Sequence, residues 1–299
     1  MDVRQLSYFL EVAHHASFSK ASESIHLSQP TLSKMVKNLE DELGVLLLDR
    51  STRKVVLTEA GKVVQAHAQT ILSAMDHMRS AVADLSGLRK GHFTLGLPPV
   101  IGASFFPKVI ADFHLLYPDI GITLVEEGGK KIEQLLLDGS IDLGVVVLPV
   151  DERLFEIVPI VERQLHLVLP LSHRLSEREE VRLAELRDES LILFRQEFNL
   201  HDRVKEACIR EGFDPHVAYE STQWDFIYEL ICAGQGISLL PETICAKFDT
   251  SKVRVIRQIK PDIHWDLAII WKKDGYVSHA AKGWVAFAQG VFGGSKLRL

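Results

Sequence analysis

The chain has 299 residues, of which 46% are hydrophobic and 25% charged, with a formal net charge of −6. At about 150 residues per domain this length predicts two domains, and the apolar content excludes a disordered chain or a small disulfide-stapled scaffold. The acidic balance excludes a uniformly basic coat for nucleic acid or anionic membrane, but it leaves room for a local basic face.

Leu6, Phe9, Leu10 and Ala13 recur at helical spacing and predict a short amphipathic first helix. Phe18, Ala21 and Ile25 repeat the pattern in a second helix, with Ser17 or Ser19 as its cap. After a tight connection at His26-Leu27, Ser28 stands where an N-cap accepts a backbone N–H, and Pro30 is tolerated in the first turn. The third helix buries Leu32, Val36, Leu39 and Leu43, and Gly44 supplies its stop. Three short helices with tight turns are the parts of a helix-turn-helix. The outer face of the third helix offers Gln29, Thr31, Ser33, Lys34, Lys37 and Asn38. A helix that enters the major groove N-terminus first would bring Gln29, Thr31, Ser33 and Lys34 to base edges. Two apolar runs from Leu46 to Leu57 flank Asp49-Arg50-Ser51-Thr52-Arg53-Lys54 and predict a hairpin whose three cations could meet phosphates. Spacing alone leaves an ordinary solvated surface as the alternative.

The run Ser17-Phe18-Ser19-Lys20-Ala21-Ser22, then Leu27-Ser28-Gln29-Pro30-Thr31-Leu32-Ser33-Lys34, resembles the winged helix-turn-helix of LysR-type transcriptional regulators. The match continues through Leu39-Glu40-Asp41-Glu42-Leu43-Gly44 to Leu57-Thr58-Glu59-Ala60-Gly61. Leu48 departs from the family's usual phenylalanine, a change that should affect hairpin packing only. The resemblance puts Gln29, Pro30, Thr31, Ser33 and Lys34 on the major-groove helix and Arg50 and Arg53 on the wing, with Lys37 and Lys54 beside them.

From Thr58 one long helix is predicted, ending near Ser86-Gly87, with Arg89-Lys90-Gly91 as a hinge. Val64, Ala68, Ile71, Met75, Met78, Val82 and Leu85 alternate steps of four and three, the repeat of a helix that pairs with another helix. A helix packed only on its own domain would carry a wider apolar stripe. The resemblance also makes this helix the dimerisation element.

After Gly91 the texture becomes strand-rich: strands at Phe93–Leu97, Ile120–Val125 and Leu143–Val147 alternate with helices at Phe105–Tyr117 and Ile132–Leu137. That order implies a parallel sheet with helices on its faces, and ligands at the carboxyl ends of its strands. A second set follows, with strands at Leu165–Leu169, Leu191–Phe194 and Gly236–Leu240 and helices at Arg203–Glu211 and Trp224–Ala233. Tyr117-Pro118, Asp138-Gly139 … Ile141-Asp142-Leu143 and Gly234-Gln235-Gly236-Ile237 … Leu240-Pro241 resemble the effector-binding half of the same family.

The resemblance thus implies a winged helix-turn-helix over 1–58, a linker helix and hinge over 59–90, and a two-lobed, periplasmic-binding-protein-like α/β domain over 91–299. Its lobes are expected at 91–161 with 264–299, and at 162–263. The cleft between them is expected to be lined by Pro98, Pro99, Val100, Ile101, Gly128, Gly129, Arg195, Gln196, Glu197, Phe198, Thr222 and Gln223. Helix-start N–H groups and Arg195 would suit a small anion, whereas Pro98-Pro99 would hold a ligand by apolar or backbone contacts.

Cys208, Cys232 and Cys245 are widely spaced and read as small buried hydrophobes of a reducing cytoplasm; a redox switch would require an exposed thiol of lowered pKa. No signal-peptide pattern stands at the N-terminus, and the most apolar stretch, Ile141 to Val150, is well short of the ~20 residues that span a bilayer. No G-x-S-x-G, H-E-x-x-H or Walker loop occurs, and His14-His15, His166, His173, His201 and His264 show no ligand-like spacing. No catalytic residue, metal ligand or cofactor is therefore assigned. The expected partners are double-stranded DNA with an imperfect dyad, a small-molecule effector, and further copies of the chain as a dimer assembling into a tetramer. The competing class is a metabolite-binding or enzymatic α/β protein with an incidental helical domain. Residues 1–90 carry 11 Lys/Arg and 10 Asp/Glu and residues 91–299 carry 23 and 30, so the acidic excess belongs to the C-terminal part.

Overall fold

The computed structural model describes residues 1–50, 55–85 and 91–294. Their contacts form two units, one holding the elements through the long helix together with Asp138–Ser140, the other the rest of the described chain.

The first unit comprises α1 (Val3–His15), α2 (Phe18–Ser24), α3 (Gln29–Leu43), a hairpin of β1 (Leu48–Asp49) and β2 (Val56–Leu57), and α4 (Glu59–Leu85). Each short helix has a side-chain start signal. Asp2 and Gln5 form a capping box on α1, Ser17 accepts from the Lys20 N–H, and Ser28 accepts from the Thr31 N–H. Gly44 ends α3 at φ 69°, the left-handed conformation that glycine adopts without strain. The caps set the register that turns Leu6, Phe9 and Val12 of α1 toward Ala21 of α2 and Leu32, Val36 and Leu39 of α3. Burial of each large side chain there contributes about 1.5–3 kcal/mol. Leu47 and Leu48 close this core from the hairpin, where Leu48 pairs with Leu57 in antiparallel register. The predicted tip residues Arg53 and Lys54, and the predicted hinge at Arg89-Lys90, lie outside the described residues.

The second unit runs β3 (Gly91–Leu97), α5 (Pro99–Leu116), β4 (Ile120–Glu126), α6 (Gly129–Leu137), β5 (Leu143–Val147), β6 (Phe155–Val161) and β7 (Leu165–Pro170). It continues with β8 (Glu180–Arg182), β9 (Ser190–Phe194), α7 (Asn199–Arg210), β10 (His216–Ser221), α8 (Trp224–Cys232) and β11 (Ser238–Pro241). It ends with α9 (Glu242–Cys245), β12 (Val253–Ile256), β13 (Gln258–Lys260), β14 (Leu267–Lys272) and α10 (His279–Gly294). One sheet has the order β4-β3-β5-β14-β6, with β3 parallel to β4 and β5, and β14 antiparallel to β5 and β6. Its central strand β5 is buried on both faces and so reads as an unbroken apolar run. Val145 and Val147 of β5 join the core with Phe106, Phe113 and Trp284, while Val146 between them joins Ile132 and Leu136 of α6. The other strands form a three-stranded antiparallel sheet, β11-β7-β12, and two parallel pairs, β9 with β10 and β8 with β13. The chain passes between these groups twice, and the two passages are bonded to each other. Trp265 N–H donates to the Arg163 carbonyl at 2.8 Å, and Leu165 N–H to the Ile263 carbonyl at 3.0 Å.

Three helices start earlier than the sequence pattern predicts. α5 begins at Pro99, whose ring presets the helical φ at a position with no N–H to satisfy, so Val100 and Ile101 belong to a helix rather than a loop. α6 begins at Gly129 and α7 at Asn199. β6, β8, β10, α9, β12, β13, β14 and α10 have no counterpart in the predicted elements; Pro159 disguises β6, and it is tolerated there because β6 is an edge strand. α5 is long and apolar enough to cross a membrane, with a mean hydropathy of 1.2, yet its Ile101, Phe106, Val109 and Phe113 are buried in the core.

Candidate functional site

The outer face of α3 follows from its inner one. With Leu32, Val36 and Leu39 buried, and Leu43, predicted with them, exposed at the end of the helix, Gln29, Pro30, Thr31, Lys34, Lys37 and Asn38 are exposed and Ser33 is half-buried. Two hydroxyls organise the helix start. Ser19 Oγ donates to Gln29 Oε1 at 3.1 Å, which leaves the Gln29 amide N–H groups directed elsewhere, and Ser28 Oγ lies 2.7 Å from Thr31 Oγ1. Among the described residues no carboxylate pairs with Lys34 or Lys37. Both ammonium groups are therefore available to an anionic partner.

Arg50 is placed differently from the sequence expectation of a phosphate contact. Its guanidinium bonds Glu40 Oε2 at 2.7 Å and lies 5.0 Å from the centre of the Phe18 ring. Glu40 is buried, and its other oxygen accepts from the Leu47 and Leu48 N–H groups at 2.9 and 3.1 Å. Arg50 thus neutralises a buried carboxylate that holds the hairpin against α3. Sequence spacing hid this because Glu40 stands in an acidic run that looks solvated.

The predicted seam of α4 divides along its length. Ala68 is 1% exposed and packs with Leu6, Phe9 and Val12, and Val64 leans on the same core, so both are committed within their own chain. Beyond them Ile71 is 40%, Met78 58% and Val82 61% exposed, and Met75 is half-buried. The side chain of Leu85 lies outside the described residues. An exposed apolar stripe of α4 therefore starts at Ile71.

In the second unit, Pro98, Val100, Ile101, Gly129, Val147, Phe194, Phe198, Asn199, Leu200 and Trp265 enclose a cavity of about 30 Å³, room for roughly one water. Five of the twelve predicted residues line it: Pro98, Val100, Ile101, Gly129 and Phe198. Pro99, Gly128, Arg195, Gln196, Glu197, Thr222 and Gln223 do not. Arg195 is turned to Glu197 at 3.4 Å, and Thr222 and Gln223 are exposed. Val147, Phe194, Asn199, Leu200 and Trp265 are the lining residues that sequence reasoning missed. Val147 and Phe194 end strands, the place where such sheets bind ligands, so that rule could have found them.

The glycines permit a close approach across this cavity. A Cβ on Gly128 would stand 2.4 Å from the Glu197 carbonyl oxygen, and one on Gly129 would stand 2.6 Å from Asn199 Oδ1. Asn199 Nδ2 donates to Glu133 Oε1 at 3.2 Å and to the Val147 carbonyl at 3.4 Å, while its buried Oδ1 has no hydrogen-bond partner. Burial raises the pKa of Glu133 above the ordinary value, against the opposing effects of Asn199 and Lys130. Lys130 bonds the Gln196 carbonyl at 2.8 Å and Asp202 at 2.5 Å. Burial would raise the Asp202 carboxyl, but the bonds from Lys130 and His201 outweigh it and hold the pKa low. His201 is 5% exposed and presents its two ring nitrogens to Asp202 at 2.9 Å and Glu220 at 3.1 Å.

Comparison with known proteins matches residues 3–62 to the bacterial regulatory helix-turn-helix protein, lysR family, and residues 86–293 to the LysR substrate binding domain. The chain is 50% identical over 285 residues, 95% of each chain, to an uncharacterized HTH-type transcriptional regulator, YwbI, of Bacillus subtilis. It is 31% identical over 241 residues, 81% of this chain and 79% of the other, to a hydrogen peroxide-inducible genes activator of Escherichia coli O157:H7. A full-length OxyR variant from Pseudomonas aeruginosa superposes with a TM-score of 0.74 at 27% identity, covering 98% of this chain and 95% of that one. The chain therefore belongs to the LysR family: it is a DNA-binding transcriptional regulator with an effector-binding domain, not an enzyme.

Proposed function

We propose that α3 enters the major groove with Gln29, Pro30, Thr31, Ser33 and Lys34 facing base edges, Lys37 following the backbone, and Arg53 and Lys54 of the wing meeting phosphates. The observation that carries this reading is the exposed Lys34–Lys37 face, without a carboxylate partner among the described residues, above the buried Leu32, Val36 and Leu39. Arg50 keeps a supporting part, as the brace of the wing. Pairing of two α4 helices from Ile71 onward would make a dimer, and pairs of dimers a tetramer on an imperfect dyad. The proposed division is 1–58, 59–90 and 91–299, with lobes meeting near 161–162 and 263–264; the paired passages at Arg163–Leu165 and Ile263–Trp265 support the lobe boundary. A regulator of this kind works beside the chromosome, in the cytoplasm.

The effector is assigned to the cleft at the cavity lined by α5 and α7, which must widen to admit it, since about 30 Å³ holds roughly one water. The first turns of α5 and α7 offer N–H groups to an anion. No lysine, arginine or histidine lines the cavity, however, and burying an uncompensated charge is costly, so a small, largely apolar, uncharged effector has the stronger support. Peroxide sensing by a thiol has little support here. Cys208 and Cys245 are buried, burial pushes each pKa up to about 12, and Cys232 is half-buried.

The test is a gel-shift series on a promoter fragment beside the chain's own gene, with salt titration. Phosphate contacts give a steep fall of affinity with salt. A wild-type chain that shows no preference for that fragment over unrelated DNA would overturn the reading.

A further inference from the structure

Glu11, His14 and His15 bring three metal-ligating atoms within 4.8 Å of one another on α1. The helix itself assembles them. At about 100° per residue, Glu11 lies between the two histidines, on the face opposite the buried Phe9 and Val12. Glu11 Oε2 is 3.6 Å from His15 Nε2, and the two imidazole rings meet edge to face with centroids 4.9 Å apart. Small rotamer adjustments would converge the three ligand atoms on one ion, with water completing the shell. The spacing Glu-x-x-His-His is the i, i+3, i+4 pattern of neighbours on one helix face.

The donor set selects the ion. Two imidazoles and one carboxylate suit Zn²⁺ and its borderline neighbours, whereas Mg²⁺ and Ca²⁺ take oxygen ligands. The position adds to the preference, because His14 and His15 occupy the last turn of α1, where the helix dipole favours a cation. None of the three residues belongs to the face assigned to DNA or to the α4 stripe. We propose that Glu11, His14 and His15 form a binding site for one divalent transition-metal ion of the Zn²⁺ class on the DNA-binding unit. The site adjoins the wing: the next residue, Ala16, accepts from the Val55 N–H at 3.1 Å, immediately before β2. An ion there would fix the end of α1 at the point where the hairpin is anchored.

The experiment uses the untagged full-length chain, stripped with chelator and titrated calorimetrically with Zn²⁺, then with Co²⁺ followed by its visible absorption. The expected result is one ion per chain, with affinity at least tenfold weaker in the His14→Ala/His15→Ala double variant and reduced in Glu11→Gln. Both variants should keep wild-type circular dichroism, since the side chains lie on the face away from the core. Mg²⁺ should produce no heat of specific binding. The proposal is overturned if the wild type takes up no Zn²⁺, or if wild type and variants bind it equally, which would place the ion elsewhere.

Discussion

Glu40 and Arg50 are joined across the junction of α3 and the hairpin, Oε2 to Nη2 at 2.7 Å, with the carboxylate buried and the guanidinium partly open to solvent. Three donors converge on that carboxylate, because the Leu47 and Leu48 N–H groups bind its second oxygen. Removing it leaves two buried N–H groups and a cation without their partner. Glu40→Ala should therefore loosen the hairpin by about 1–3 kcal/mol. Hydrogen exchange at the Leu47 and Leu48 amides should accelerate roughly tenfold or more, since about 1.4 kcal/mol is a factor of ten. Unchanged protection would mean that backbone packing alone holds the hairpin.

Lys34 and Lys37 address a different step, the attraction to DNA. Lys37→Ala should weaken binding uniformly across sequences and reduce the salt slope by about 1 for the one phosphate lost. Lys34→Ala should also flatten preference among operator variants, because that side chain is assigned to base edges. Gel shifts at several salt concentrations separate the two. Arg53→Ala should behave as Lys37→Ala does, and none of the three should alter the oligomer. Equal affinity of wild type and variants would remove α3 from the interface.

The N-terminal elements were legible in the sequence because local chemistry specifies them. Asp2, Ser17 and Ser28 start helices, Gly44 stops one, and the apolar steps within α3 name its buried face. The cleft was much less legible. Its walls come from α5, α6, β5, β9, α7 and the segments before α5, α7 and β14, and no local spacing announces that Val147, Phe194 and Trp265 share one cavity. Arg195 shows the hazard of reading a loop by residue type: a cation next to the cleft in sequence spends its charge on Glu197. Glu40 shows the converse, since a residue that looked like surface charge is a buried anchor. The global charge misled for a different reason, because its acidic excess belongs to residues 91–299 and says nothing of where the cations of the DNA-binding part stand.

The exposed part of the α4 stripe gives a prediction about assembly. Ile71, Met78 and Val82 form the apolar surface left after Ala68 has been used by its own domain. Met78→Glu should shift the proposed dimer toward monomer, because a charge buried in a helix pair costs several kcal/mol on desolvation. Light scattering across a dilution series measures the shift. Ala68→Glu should instead unfold the N-terminal unit, so circular dichroism distinguishes the two positions. A Met78→Glu chain that remains fully dimeric at low concentration would place the dimer contact elsewhere.

Gly128 and Gly129 predict how the cleft responds to added volume. A Cβ at Gly128 meets backbone, the Glu197 carbonyl at 2.4 Å, which cannot rotate away. A Cβ at Gly129 meets Asn199 Oδ1 at 2.6 Å, the end of a side chain. Gly128→Ala should therefore cost about 1–3 kcal/mol of stability by overpacking, and Gly129→Ala less. Thermal melting of the full chain should rank them in that order, with Gly128→Ala also opening the domain in small-angle scattering. The reverse order would mean that the Asn199 side chain is the more rigid wall.

Glu133 supplies the pH dependence. It shares Asn199 Nδ2 across the cleft, and burial raises its pKa above the ordinary 4.5. A carboxyl whose folded pKa lies above its unfolded value binds protons more tightly when folded. Its stabilising contribution is complete below about pH 4.5, the unfolded range, and disappears as pH rises through the higher folded value. As pH rises through that range the folded chain takes on an ionised carboxylate that burial disfavours. Glu133→Gln keeps an acceptor for Asn199 without the charge, so it should raise the melting temperature at pH 7 and have little effect near pH 4.5. Melting curves of wild type and variant should diverge as pH rises. If the wild type is instead the more stable chain at pH 7, the attraction of Lys130 and the bond from Asn199 outweigh burial, and Glu133 acts as an ionised tie between α6 and α7.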